Sequence, residues 1–251
     1  MSINKFFLSV VVFPFFVACS PITWIVTQRS STKIAIDSSL DKIADKSYET
    51  YLQPFKQKID SGMNMVIGQA TETMTAHAPE SLLSNFNADV YRQEAANYLG
   101  QDVDLSVVNL GGLRTTIPTG TITLEKIFEL MPFENELVII WLRGDKLFDL
   151  LQFFASVGGE GVSGLRMKIH DGKAIDISID GHQLDKNRLY TIATNDYVAG
   201  GNDNMKQMAQ YEKRINTGLK IRNILIKAIE SETRQGHKIH SKLDGRITVI
   251  P

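Results

Sequence analysis

The chain has 251 residues, 43% hydrophobic and 22% charged, with 27 Lys and Arg against 28 Asp and Glu. That balance excludes a disordered or collagen-like chain and leaves length for one large domain or two small ones around a sizeable core. A formal net charge of −1 gives no basic footprint for nucleic acid, and a single cysteine, Cys19, excludes an intramolecular disulfide or a cysteine-based metal cluster.

Residues 1–18, MSINKFFLSVVVFPFFVA, set Lys5 before an apolar run from Phe6 to Ala18. A membrane-spanning helix needs about 20 apolar residues, and this run is shorter, with the flanks of a secretory signal peptide. Ala18 directly precedes Cys19, and the junction resembles a bacterial lipobox, in which the cysteine is acylated and becomes the new N-terminus; Phe16 stands where Leu is usual. The expectation is an exported chain, lipid-anchored through Cys19 to the periplasmic or surface face of a bacterial envelope membrane. Residues 19–36, with Pro21 and the polar run QRSSTK, read as an extended tether leading into a first strand. An ordinary cleaved signal with a cysteine near the cut is the plainer alternative.

The body, residues 37–251, reads as one domain. Apolar residues at spacings of three and four (Leu40, Ile43, Ala44, Tyr51, Phe55, Ile59) predict an amphipathic helix over 37–60, capped by Asp37 or Ser38 and kinked or divided at Pro54. Residues 65–70 read as a short strand, and Ser81 to Leu99 as a second helix stopped by Gly100. Asp104–Leu110 predicts a central strand, 136–143 a buried strand, and Gly144-Asp145 the start of a helix carrying Leu147, Leu150, Leu151 and Phe154. Period-two alternation over 165–180 around Asp171-Gly172 signals a hairpin. A strand at 189–195, a glycine-rich loop, a helix at about 219–231 and a last strand at 246–250 complete the chain. Helices and hairpins without regular βαβ repetition predict an α+β fold, mixed β-sheets with packed helices.

Several chemistries are missing. The five histidines show no HExxH or paired Asp-x-His pattern, and His237 and His240, in GHKIH, read as solvated loop residues. GxSxG and the P-loop pattern are absent. Four loops stand out instead: Asn109 to Arg114 (NLGGLR), Pro132 to Glu136 (PFENE), Val162 to Arg166 (VSGLR) and Thr194 to Asp203 (TNDYVAGGND). Singly each is an ordinary turn. Together they supply two aromatic rings, an arginine, amides and a carboxylate, the chemistry of a nucleoside pocket: rings stack a base, amides read its edge, a carboxylate accepts from ribose hydroxyls, and an arginine offers a charged fork for phosphate or carboxylate.

In this order and spacing the four loops resemble the C-terminal, substrate-binding domain of the 5′-nucleotidase / UDP-sugar hydrolase family. The likeness runs from about residue 40 to the end and includes PESLLSNFNADVYRQEA, ITLEKIFELMPFENELVIIWLRGDKL and YTIATNDYVAGGNDN. It implies that Phe133 and Tyr197 sandwich the base, that Asn109 and Asn135 approach it, and that Arg114 faces the phosphate. By the same resemblance Asp203 holds the ribose hydroxyls and Gly164 lines the pocket. Asn202 stands where the family loop has glycine, Ser84 replaces a helix glycine, and Tyr197 replaces a common Phe.

In that family hydrolysis belongs to an N-terminal calcineurin-like domain, where two metals about 3.5–4 Å apart activate water and clamp the leaving oxygen. The expectation here is a nucleotide-binding half of a split 5′-nucleotidase that hydrolyses nucleoside 5′-phosphates. It has no metal or other cofactor of its own and no catalytic residue; a separately encoded metallophosphoesterase brings the two divalent metals. The alternative is a stand-alone lipid-anchored nucleoside- or nucleotide-binding protein without catalysis.

Overall fold

A computed structural model of the chain describes residues 24–40 and 45–251. The expected signal segment and Cys19 lie outside the described residues. The chain divides into two compact units at Thr50–Tyr51.

In the first unit, residues 24–36 carry neither helix nor strand and are exposed, so the tether does not lead into a strand there. Residues 37–40 close one turn, Leu40 N–H to the Asp37 carbonyl at 3.1 Å. The first helix, α1 (Lys46–Met63), has only Lys46–Thr50 in this unit and the rest in the second, and it begins later than the periodicity predicts. Its cap is Asp45, whose Oδ1 accepts the Ser47 N–H at 2.9 Å and competes for the helix start as a carboxylate does. Pro54 sits inside α1 without dividing it, and no residue of the helix is buried. Its apolar stripe, Tyr48, Tyr51, Leu52, Phe55 and Ile59, is exposed.

The second unit is built on a five-stranded sheet in the order β10-β4-β9-β2-β5: β2 (Leu105–Val108), β4 (Glu136–Arg143), β5 (Gly161–Ser163), β9 (Leu189–Asn195) and β10 (Lys213–Lys220). β2 and β9 run parallel, while β10 with β4, β4 with β9, and β2 with β5 are antiparallel. A two-stranded sheet pairs β1 (Val66–Ala70) with β3 (Gly120–Thr123). A third sheet, in the order β11-β6-β7-β8, joins β6 (Leu165–His170), β7 (Lys173–Ile179), β8 (His182–Gln183) and β11 (Ile247–Val249). The mixed α+β architecture is as expected.

Both faces of the five-stranded sheet are covered, which is why β4 reads as the unbroken apolar run LVIIWL rather than as alternation. Leu137 and Ile139 enter one core with α2 (Leu82–Leu99), α3 (Leu124–Leu130) and α6 (Ile221–Arg234); Val138, Ile140 and Leu142 enter the other with α4 (Gly144–Ser156). Ser81 caps α2 and Gly100, at φ +67°, ends it, as the sequence indicates.

Three segments depart from expectation. Residues after β9 form a short helix, α5 (Asp196–Ala199), before the glycines. The helix expected from 219 starts at Ile221, because residues 213–220 extend the sheet as β10. Residues 120–130, read only as part of a family likeness, make β3 and α3.

Candidate nucleotide site

Strand direction decides which loops meet. Leu105 of β2 pairs with Ile192 of β9 in parallel, Leu137 of β4 pairs with Asn195, and Val108 pairs with Gly161 of β5. The C-terminal ends of β2 and β9 and the N-terminal ends of β4 and β5 therefore share one edge of the sheet. Asn109, Phe133, Asn135, Glu160, Tyr197 and Asp203 are all delivered there.

Asn109 follows β2 and is buried. Its Oδ1 accepts from Nδ2 of the buried Asn195 at 3.1 Å, and its Nδ2 donates to Oδ2 of Asp203 at 2.7 Å. Asn195 also caps α5 through Oδ1, accepting the Val198 N–H at 2.7 Å. Gly112 makes room for this arrangement: a Cβ there would lie 2.9 Å from Oδ1 of Asn109. The Asn109 amide is thus committed in large part to aiming Asp203, a positioning task that the sequence reading did not assign to it.

Tyr197 donates its hydroxyl to the other carboxylate oxygen of Asp203 at 2.9 Å, which raises the pKa of the phenol. Asp203 and Asn204 both sit at positive φ, +53° and +62°, where Asp and Asn are tolerated better than other side chains. Asn202, standing where the family loop has glycine, donates to the Tyr197 carbonyl at 2.8 Å and ties the loop back on itself. Tyr197 remains 43% exposed and Phe133 45% exposed. Large aromatic side chains usually bury their area, and at this sheet edge two of them stand half-exposed.

Phe133 stands on a pinned loop. The buried Arg222 of α6 donates to the Met131 carbonyl at 3.2 Å, pairs with Glu134 and lies over the Phe128 ring, 4.0 Å from its centroid. Lys220 donates to the Glu134 carbonyl and to Oε1 of Glu136, both at 3.0 Å. Asn135, half-buried, accepts the Ile221 N–H at 2.9 Å through its carbonyl. Arg114 is exposed beyond the glycines, and its guanidinium donates to the Gly111 carbonyl at 3.2 Å.

Gly164 is not part of this group, a correction to the expected pocket. It follows β5 at the far end of β2, with its φ at +75°, and a Cβ on it would lie 2.2 Å from the Asp104 carbonyl and 2.9 Å from the Arg92 guanidinium. Steric demand from that packing explains the glycine. Two groups that sequence reasoning passed over do belong to the edge: Asn195 and Glu160. Glu160 accepts the Leu110 N–H at 2.9 Å. Burial, and secondarily the negative charge of Asp203, pushes its carboxyl up to about 7. The lone acid set among glycines in GGEG was the available signal.

Among the described residues, no three His, Cys, Asp or Glu side chains converge to hold a metal ion. A groove of about 610 Å³ between α2, α6 and residues 238–242 lies apart from the aromatic edge.

The family model described as "5′-nucleotidase, C-terminal domain" matches residues 66–210. A 5′-nucleotidase of Vibrio parahaemolyticus is 24% identical over 199 residues, covering 75% of this chain and 34% of its own length. The solved 5′-nucleotidase precursor of Thermus thermophilus superposes with a TM-score of 0.69 at 24% identity, over 84% of this chain and 45% of that one. A Haemophilus influenzae NAD nucleotidase gives a TM-score of 0.59 at 21% identity, over 82% of this chain and 42% of that one. The chain thus spans about a third of the curated relative and under half of each solved chain.

Proposed function

Because this chain belongs to the 5′-nucleotidase C-terminal domain family, we propose that it is the nucleotide-recognising half of a split 5′-nucleotidase. The carrying observation is the convergence of Phe133, Tyr197, Asn109 and Asp203 at one sheet edge, with Asp203 held on both oxygens. In this reading the two rings sandwich the base and Asn135 approaches its edge. Asp203 accepts from the ribose hydroxyls, and Arg114 swings from Gly111 onto the 5′-phosphate. Discrimination and orientation are what such a domain contributes, since holding a substrate in reactive geometry removes entropy from the catalytic step.

Hydrolysis falls to a separately encoded metallophosphoesterase that carries two divalent metals. The surface proposed for it is the stripe of Tyr51, Leu52, Phe55 and Ile59, exposed along α1 just before the family match begins at residue 66. The family model matched from residue 66 is itself described as a C-terminal domain. Export and lipid attachment at Cys19 would hold the pair at an envelope membrane; labelling with a radioactive fatty acid, abolished by Cys19→Ala, tests the anchor.

The function is tested by 5′-AMP hydrolysis with a divalent metal, on this chain alone and mixed with the candidate metallophosphoesterase. Activity is expected only from the mixture or greatly increased there, and lost with Tyr51→Ala/Phe55→Ala. Substantial turnover by the purified chain alone overturns the split-enzyme reading.

A further inference from the structure

We propose that Glu160 is a second ribose-recognising carboxyl that, with Asp203, sets a preference for ribonucleotides over deoxyribonucleotides; the proposal rests on the nucleotide reading of this site. Consecutive residues hold the two acids. Asn109 donates through its side chain to Asp203 at 2.7 Å, and Leu110 donates through its main chain to Oε2 of Glu160 at 2.9 Å. The two carboxyls are therefore both tied to one short segment at the end of β2, near enough that the charge of Asp203 is felt at Glu160.

Glu160 is held there by its loop. Gly159, at φ +123°, packs so closely that a Cβ would lie 2.7 Å from both Cα and the carbonyl oxygen of Pro79. Gly161 enters β5 opposite Val108. A carboxyl placed this deliberately normally meets a cation or several donors, because burying it otherwise is costly. Among the described residues no ion pair includes Glu160 or Asp203. The carboxyl of Glu160 is half-buried with backbone donors only, and burial raises its pKa.

The ligand chemistry that answers two adjacent acceptors is a pair of vicinal hydroxyls, each donating one hydrogen bond. A ribose 2′,3′-diol supplies them. A phosphate at the same spot is repelled by both acids, which leaves the 5′-phosphate to Arg114. A site built to bond a hydroxyl rejects an analogue lacking it, since its desolvated acceptor is then left unpaired.

Calorimetric titration of the full chain at pH 8 with AMP, 2′-deoxy-AMP and 3′-deoxy-AMP tests this. The wild type is expected to prefer AMP over at least one deoxy analogue by about tenfold or more. Glu160→Ala should shrink that preference to within about twofold while still binding the deoxy analogue, which shows that the variant is folded; Glu160→Gln, which keeps an acceptor oxygen, should retain part of it. An unchanged preference in Glu160→Ala, or none in the wild type, overturns the proposal while leaving nucleotide binding in place. A wild type that binds none of the three overturns the nucleotide reading itself, and this proposal with it.

Discussion

Tyr197 donates its hydroxyl to Oδ1 of Asp203 at 2.9 Å while the residue stays 43% exposed. In the proposed site one residue thereby serves two purposes: the hydroxyl orients the acid, and the ring is offered to the base. These purposes separate by mutation. Tyr197→Phe keeps the ring and should change nucleotide affinity by less than about threefold. Tyr197→Ala should cost about 1–3 kcal/mol, as should Phe133→Ala, if each stacks on the base. Calorimetry on the three variants decides it; full affinity in both alanine variants removes the aromatic sandwich.

Asp203 offers a cleaner substitution than most acids. Its backbone is left-handed, φ +53°, a region that Asn enters as readily as Asp. Asp203→Asn should therefore fold with stability within about 1 kcal/mol of the wild type. Its loss should fall on binding, about tenfold or more, because a charged acceptor is replaced by a neutral amide. Thermal melts and titration of the same preparation check both halves. A large drop in melting temperature with unchanged affinity would make Asp203 a structural residue only.

Much of this was legible in the chain, and the exceptions have physical causes. Ser81 and Gly100 announce the ends of α2 because caps are local chemistry, and β4 announces itself because both of its faces are buried. β10 did not, since KRINTGLK is polar and only partly buried at the edge of the sheet, where neither periodicity nor apolar content marks a strand. Asp45 took the cap expected at Asp37 or Ser38, a competition among several acids and serines that spacing alone does not decide. In the site, side chains on the motif loops were named from their types, but their uses depend on strand direction. Asn109 turns out to aim Asp203, and Glu160 joins the edge only because β5 runs antiparallel to β2. The same rule sends Gly164 to the opposite end.

That placement makes Gly164 a control. A methyl group there meets the Asp104 carbonyl at 2.2 Å on a backbone at φ +75°, so Gly164→Ala should destabilise the fold by about 1–3 kcal/mol or more. The aromatic edge is built by the other ends of the strands, so the folded fraction should bind nucleotide with unchanged affinity. Denaturant unfolding and calorimetry at a temperature where the variant is folded measure both. A selective loss of affinity at full stability would return Gly164 to the pocket.

Glu160 links the site to pH. Its pKa is raised from 4.5 to about 7, first by burial and then by the charge of Asp203, against the opposing Leu110 and Gly161 N–H groups that face it. Between those values the folded state binds more protons at this position than the unfolded chain does. Its contribution to stability is therefore present below about 4.5 and is lost as pH rises through about 7. Glu160→Gln is neutral throughout and abolishes that loss. Relative to the wild type, it should gain on the order of 1–2 kcal/mol between pH 5 and pH 8, the figure reduced because the side chain is only partly shielded from water. Denaturant titrations of both proteins at the two pH values measure the difference directly. An equal stability difference at pH 5 and pH 8 would mean that Glu160 ionises in the fold as it does in water, and that the edge already supplies the donors its carboxylate needs.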